Sequence, residues 1–400
     1  MLELFRLSIV KELFMKTFKN VALVIIVAFN LRWGITSVSP VVDYLKLQLG
    51  LSNFQVSLLT SIPVFCMGIF AFFVGLLQTK YGRKRSIFYL LLLMFVAAAT
   101  RLGSHSFISL CLSAFIIGLT IAIIGPMLSG FIKEQFPHHQ GSMVGVYSLS
   151  MGVGATVASG TALSLSHRYS WQVGLGIWSV IALISALVWQ LGAADDKKAP
   201  KLTSQTSSPL KVSELLQTKQ MWALILYFGF QSGIYYSAVA WTTSFFSSRN
   251  LPAAKNTLYL TVMMVLITAC SFIIPSLMDR FGSTKNWNIF CTAAAFFSGL
   301  TFWLGSNEWA YLLAILLFAI GSGGLFPISL LLPLQFSTQA DEASLKTGLM
   351  QAGGYIMAGI IPLALGSLMD WTGNYLYLPL NYVLSSVIMW LLGNLLLSEK

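Results

Sequence analysis

In the run VIIVAFNLRWGITSV, residues 24–38, Arg32 is the one ionised side chain, and apolar stretches flank it on both sides. A guanidinium near the centre of a bilayer costs about 2.5–3.5 kcal/mol on insertion scales, so something must hold it there. Lys19 and Asp43 mark the nearest polar ends, too far for the side chain to snorkel out. No Asp or Glu falls in the middle of an apolar run; Asp43, Glu134, Asp279 and Asp370 all sit at the ends. Two readings stay open. Arg32 donates to the carbonyls of a broken helix and locks the structure, or it faces a water-filled path and offers its charge to a solute. Intramembrane charges usually mark solute paths, which favours the second. The fixed fork of N–H donors suits a planar, oxygen-bearing anion, two bonds at a time. On an α-helix Thr36 and Ser39 follow Arg32 at i+4 and i+7, giving one polar stripe. A second stripe, Gln231, Tyr235 and Thr242, lies at comparable depth in a later run, Gln231 twelve residues after Lys219.

The elements that must carry these side chains are membrane helices. The chain of 400 residues is 56% hydrophobic and 9% charged, with a mean hydropathy of +0.77; a soluble chain carries about 25% charged residues. With roughly 20 apolar residues needed per crossing, twelve spans are expected, near 20–42, 53–78, 86–103, 107–132, 142–166, 171–191, 221–246, 256–278, 287–305, 309–334, 345–369 and 375–397. The fold class is therefore all-α, a twelve-helix membrane protein. The polar stretch 192–220 reads as a linker between six-helix halves 1–191 and 221–400. Eighteen of the 24 Lys and Arg fall in segments that are cytoplasmic if the N-terminus is inside. Five (Lys46, Arg101, Arg168, Arg249, Lys255) fall outside, so both termini are placed in the cytoplasm. Arg101 is expected to anchor the outer end of span three.

The net charge of +11 lies in short loops and follows membrane orientation, so no nucleic-acid partner is expected. The partners expected are a small-molecule solute and the lipid bilayer, for a monomer. The four cysteines (Cys66, Cys111, Cys270, Cys291) lie in apolar runs and read as small buried hydrophobes. Neither a metal site nor a cofactor is expected. Paired acids, a His cluster, a Ser–His pair and a Walker sequence are all missing, which argues against an enzyme and against direct use of ATP. The first twenty residues do not resemble a cleavable signal, and Met15 would serve equally well as a start.

The two halves resemble each other. KYGRKRS after span two answers to DRFGSTK after span eight, and Gly118 and Pro126 answer to Gly321 and Pro327. Span five carries Ser148, Gly152, Thr156 and Gly160 at every fourth position; span eleven carries Gly354, Ala358, Pro362 and Gly366, a shift of about 202. Small residues in such stripes let helix backbones approach closely. Repeats with a site near the midplane are the build of secondary transporters.

The chain resembles the major facilitator superfamily over its whole length. GLLQTKYGRKR looks like that superfamily's G-x3-D-x2-G-R-x-K/R signature, with Gly75, Gly82, Arg83 and Arg85 in place and Thr79 where the Asp belongs. PSLMDRFGSTK keeps Asp279, Gly282 and Lys285, with Pro275 and Ser283 replacing the Gly and the Arg. In the family this loop latches the halves on the cytoplasmic side, so the missing Asp implies a weaker hold on the outward-open state. More narrowly, FNLRWGITSVSP, the T-x-x-P of Thr60 and Pro63, and GFIKEQFP resemble the cyanate and nitroimidazole transporter branch. That adds Asn30 beside Arg32 and Thr36 as solute contacts, and Lys133 as a gating contact. Spans one, four, seven and ten line the cavity in the superfamily, which would bring the Arg32 and Gln231 stripes face to face. Tyr147, Gln351 and Tyr355 are further solute candidates. The function implied is a carrier of a small anionic or electron-rich solute working by alternating access. Without a membrane-embedded acid, uniport, exchange and symport all stay open. The rival is an exporter of amphipathic drugs that uses the aromatic residues (13% of the chain), with Arg32 as a structural lock.

Overall fold

A computed structural model describes residues 2–51, 53–194 and 212–398. Among the described residues, twelve helices are long and apolar enough to cross a membrane: Thr17–Thr36, Ser61–Tyr81, Arg83–Gly103, Phe107–Gln135, Gln140–Arg168, Trp171–Gly192, Lys219–Thr242, Leu258–Phe281, Thr284–Leu304, Glu308–Gln335, Ala340–Met369 and Tyr377–Leu397. They are numbered below as spans one to twelve. Most of the linker, 195–211, lies outside the described residues; its end forms a short helix, Val212–Leu216.

Local chemistry sets where the spans begin. Ser106, Ser170, Thr218, Ser283 and Asn307 each accept a hydrogen bond from the backbone N–H three residues on. These are side-chain caps for N–H groups that the helix itself leaves unpaired. Span one runs as a helix from Leu2 to Thr36 and is followed by a 3₁₀ turn, Ser39–Val41, and a short helix, Val42–Leu49. The expected span to residue 42 is therefore too long. Pro40 cannot donate to a helix and disfavours helical geometry in the residue before it. Ser39 accordingly lies beyond the α-helix, and the polar stripe ends at Thr36.

The chain divides into two compact units. The first is Met1–Cys66, Phe73–Pro137 and Ser150–Ser208; the second is Pro209–Lys400 together with Met67–Phe72 and His138–Leu149. In the first unit, span one is tied to span six. Asn30 donates to Ser185 Oγ at 2.7 Å, and Trp33 stacks on Trp178 with ring centres 6.3 Å apart. Phe131 meets Trp189 edge-on at 5.1 Å. In the second unit, glycines interlock spans seven and eleven in both directions. A Cβ on Gly233 would lie 2.5 Å from Ile361 Cδ1, and one on Gly353 would lie 2.6 Å from Ile225 Cγ2. An aromatic cluster of Phe245, Phe246, Phe302, Phe318, Tyr311 and Tyr382 fills the far end. The windows of spans four, seven and ten are the most buried, at 56%, 67% and 78%, against 28% for span eight. Those three form the inner layer of their units.

The small-residue stripe of span five sits two positions from where the sequence places it. Thr156 and Gly160 are exposed, and nothing lies within 4 Å of a Cβ placed on Gly160. The packed face is Ser150, Gly154, Ala158, Ala162 and Ser166, all buried. A Cβ on Gly154 would run into the Phe29 carbonyl of span one, and Thr36 Oγ1 donates to the Ala155 carbonyl at 3.2 Å. Its counterpart in span eleven is Gly354, whose Cβ would strike Phe228 of span seven. The repeat in these helices is thus 200 residues, read from Gly154 and Gly354. Likewise it is Gly323 that presses on span eight, at Cys270 and Ile267, as Gly118 presses on Pro63 and Cys66 of span two; Gly321 meets Ala295 of span nine instead.

Overpacking a tight crossing costs about 1–3 kcal/mol. Gly154→Ala should lower the thermal unfolding midpoint of the purified protein by several degrees, and Gly160→Ala should leave it unchanged. Equal midpoints for the two variants would show that the crossing is not set at Gly154.

Candidate functional site

The first unit assembles three of the sequence-named residues on one helix end. Arg32 is half-buried and lies four residues before span one stops. That places it in the C-terminal third of the span, away from its middle. Asn30 is fully buried, and its amide is engaged on both sides. It donates to the Ile26 carbonyl and to Ser185 Oγ, each at 2.7 Å, and accepts from Trp33 Nε1 at 3.0 Å. These bonds make Asn30 a post for the helix. Thr36 bonds to the carbonyls of Arg32 and Ala155, both at 3.2 Å. Arg32 thus sits on a segment fixed two residues before it and four after.

Arg101 departs from its expected role as an interfacial anchor. It is 2% exposed, and its Nε donates to Ser113 Oγ at 2.8 Å. Nη1 and Nη2 reach the Gly34 carbonyl at 3.3 and 3.4 Å. It is a buried guanidinium in the same unit as the half-buried Arg32. The sequence holds a signal for it: the residues after Arg101 include Gly103, Ser104 and Ser106, too small and polar to make a lipid-facing end.

The second unit gathers the other candidates. Gln231 is buried, and its Oε1 accepts from Ser232 Oγ at 3.2 Å; Tyr235 is half-buried and meets Tyr236 edge-on. Gln351 and Tyr355 are buried one turn apart on span eleven. Tyr355 meets Phe228 edge-on at 5.1 Å. Phe228 and Gln231 share a helix face at i and i+3, so Tyr355 and Gln231 border one seam. Tyr147 is buried in the stretch that packs with this unit.

The signature loops differ between the halves. Gly82 holds φ 78°, a left-handed backbone that favours glycine, whereas Gly282, at φ 163° and ψ −176°, is simply extended. Arg83, 6% exposed, pairs with Glu134 at 2.5 Å. Glu134 follows Lys133 at the end of span four, so the partner of the signature arginine is the acid next to the named lysine. At the matching place in the second half, Gln335 Nε2 donates to Thr284 Oγ1 at 2.7 Å, a neutral version of the same joint. Thr79, standing where the family has Asp, donates back to the carbonyls of Gly75 and Leu76, both at 3.0 Å. Asp279 makes the contact expected of an anion: it accepts from the N–H of Gly141 at 3.1 Å and of Ser142 at 2.5 Å, in the first turn of span five. A carboxylate there satisfies unpaired donors and opposes the positive end of the helix dipole. Gly141 leaves room for it, since a Cβ would overlap the carboxylate. Arg85 is exposed. Among the described residues no group of three or more His, Cys, Asp or Glu could hold a metal.

Residues 24–362 match the profile of the Major Facilitator Superfamily. The chain belongs to that superfamily. Over 357 residues it is 29% identical to the cyanate transport protein CynX of Escherichia coli K12, covering 88% of this chain and 90% of that one. Over 385 residues it is 25% identical to the 2-nitroimidazole transporter of the same organism, covering 93% and 94%. Among solved structures, the superfamily transporter FucP in its outward conformation superimposes with a TM-score of 0.79 at 17% identity, covering 95% of this chain and 99% of that one. The protein is a multi-pass membrane transporter of cyanate-transporter-like sequence.

Asp279→Ala should lower the thermal unfolding midpoint by a few degrees, while Asp279→Asn, whose single amide oxygen can still accept from one of the two N–H groups, should lose less. Identical losses in the two variants would mean that the carboxylate's charge, and not its hydrogen bonds, holds the turn.

Proposed function

We propose that the protein carries a small anionic or electron-rich polar solute across the cytoplasmic membrane by alternating access, with Arg32 as its anchor. The observation that carries this reading is Arg32 itself: a half-buried guanidinium inside a membrane span, on a helix end fixed by Asn30 and Thr36. Cyanate and 2-nitroimidazole, the solutes for which two relatives are named, are both small and rigid and present oxygen acceptors, as suits a guanidinium's planar fork. A rigid platform favours binding because little is lost in ordering the donor.

In this reading the solute contacts are Arg32 and Thr36, with amide and phenol groups from Gln231, Tyr235, Gln351, Tyr355 and Tyr147. Asn30 acts through the helix it fixes. The Arg83–Glu134 pair and the Asp279 cap belong to the gate on the cytoplasmic side, together with Gly75, Gly82, Arg85, Gly282 and Lys133. Opening on that side requires the Asp279 cap to let go of span five.

Thermal unfolding of the purified protein against cyanate, nitrite, chloride and 2-nitroimidazole tests the anchor. A ligand at about 100 times its dissociation constant adds roughly 2.7 kcal/mol to stability. One of the anions should raise the midpoint of the parent and fail to raise that of Arg32→Gln, with Arg32→Lys intermediate. Stabilisation of parent and Arg32→Gln alike, by uncharged aromatic compounds only, would make Arg32 a structural lock and the protein an exporter of amphipathic drugs.

A further inference from the structure

The buried guanidinium of Arg101 has a defined task at the end of span one. When an α-helix stops, its last carbonyls lose their partners. Here Ser37 N–H turns to the Trp33 carbonyl and Val38 N–H to the Ile35 carbonyl, leaving Gly34's carbonyl without the Val38 N–H that a continued helix would supply. Arg101 takes that place with two N–H groups. Its Nε–H is fixed by Ser113, whose own proton is committed to the Ala97 carbonyl at 2.6 Å. Ile117, one turn after Ser113 on span four, presses against Gly34 so closely that a Cβ would lie 2.5 Å from its Cγ2. Spans one, three and four thus converge on a single carbonyl two residues from Arg32.

A neutral donor could have satisfied that carbonyl at lower desolvation cost. A guanidinium stays charged, and burying it is expensive unless the charge is used. Its partners here are a hydroxyl and a carbonyl, which neutralise nothing. Glu134, the acid of this unit whose side chain is described, is held by Arg83 and lies 21 residues along span four from Ser113, about 30 Å of helix. The C-terminal end of a helix is electronegative and would weaken the field that Arg32 presents; a buried cation on that end reverses the sign.

We propose that Arg101 is a second fixed positive charge of the solute path. It is a positioning residue that pins the end of span one and makes its last turn electropositive, so that anion preference is set by Arg32 and Arg101 together. This rests on the anion-carrier reading, and its test needs no solute. Thr36→Cys, in protein whose four native cysteines are replaced by alanine, is labelled with an anionic methanethiosulfonate (sulfonatoethyl) and a cationic one (trimethylammonioethyl). Low dielectric magnifies the effect of a nearby charge, so the anionic-to-cationic rate ratio should fall by roughly threefold or more in Arg101→Gln and stay near the parent's in Arg101→Lys. A merely structural arginine would shift both rates together and leave the ratio alone. An unchanged ratio in Arg101→Gln, or no labelling of the Thr36→Cys protein by either reagent, overturns the proposal. Should no anion bind the protein at all, the ratio still decides the role of Arg101.

Discussion

Inside a bilayer no water stands by to complete an interrupted helix, and this structure is organised around one such interruption. Span one stops at Thr36 because Pro40 forbids its continuation. The carbonyl exposed by that stop is taken up by Arg101, which in turn fixes span three against Ser113 of span four. The helix that carries Arg32 is therefore held at its end by a charge, at its side by Asn30 and Ser185, and across span five by Gly154 and Thr36.

The number, type and approximate extent of the spans are legible in the sequence because membrane helices announce themselves by length and apolarity alone. Arg32, Thr36 and Asn30 are legible as an unusual polar patch in such a run. Finer features need geometry. Spacing alone puts the packed stripe of span five two residues away, because Gly152 and Gly154 are both small and only the approach of Phe29 chooses between them. The i+7 spacing draws Ser39 into the helix because it ignores what Pro40 does upstream of itself. Arg101 looks interfacial because its position near a span end says nothing about which way its side chain turns. The importance of Glu134 is hidden for a similar reason: its partner, Arg83, lies 51 positions away.

The halves keep a common frame while their chemistry diverges. Joints at matching places are ionic in one half, Arg83 with Glu134, and neutral in the other, Thr284 with Gln335. An Asp caps a helix from the second signature loop, whereas the Thr in the first bonds only to its own turn. Neutral and short-range bonds survive changes in salt better than ion pairs do. The two loops therefore differ in what can loosen them, although their backbones descend from one pattern.

The interlock of spans seven and eleven also constrains how the sequence can drift over generations. Gly229 and Gly233 each receive a large side chain from the opposite helix, Met357 and Ile361, while Gly353 and Gly354 receive Ile225 and Phe228 in return. The glycine of such a pair cannot enlarge while its partner stays large. A lineage that enlarges the glycine must first shrink the partner, so the pairs pass through evolution as linked letters, and the seam between these helices is inherited as a unit.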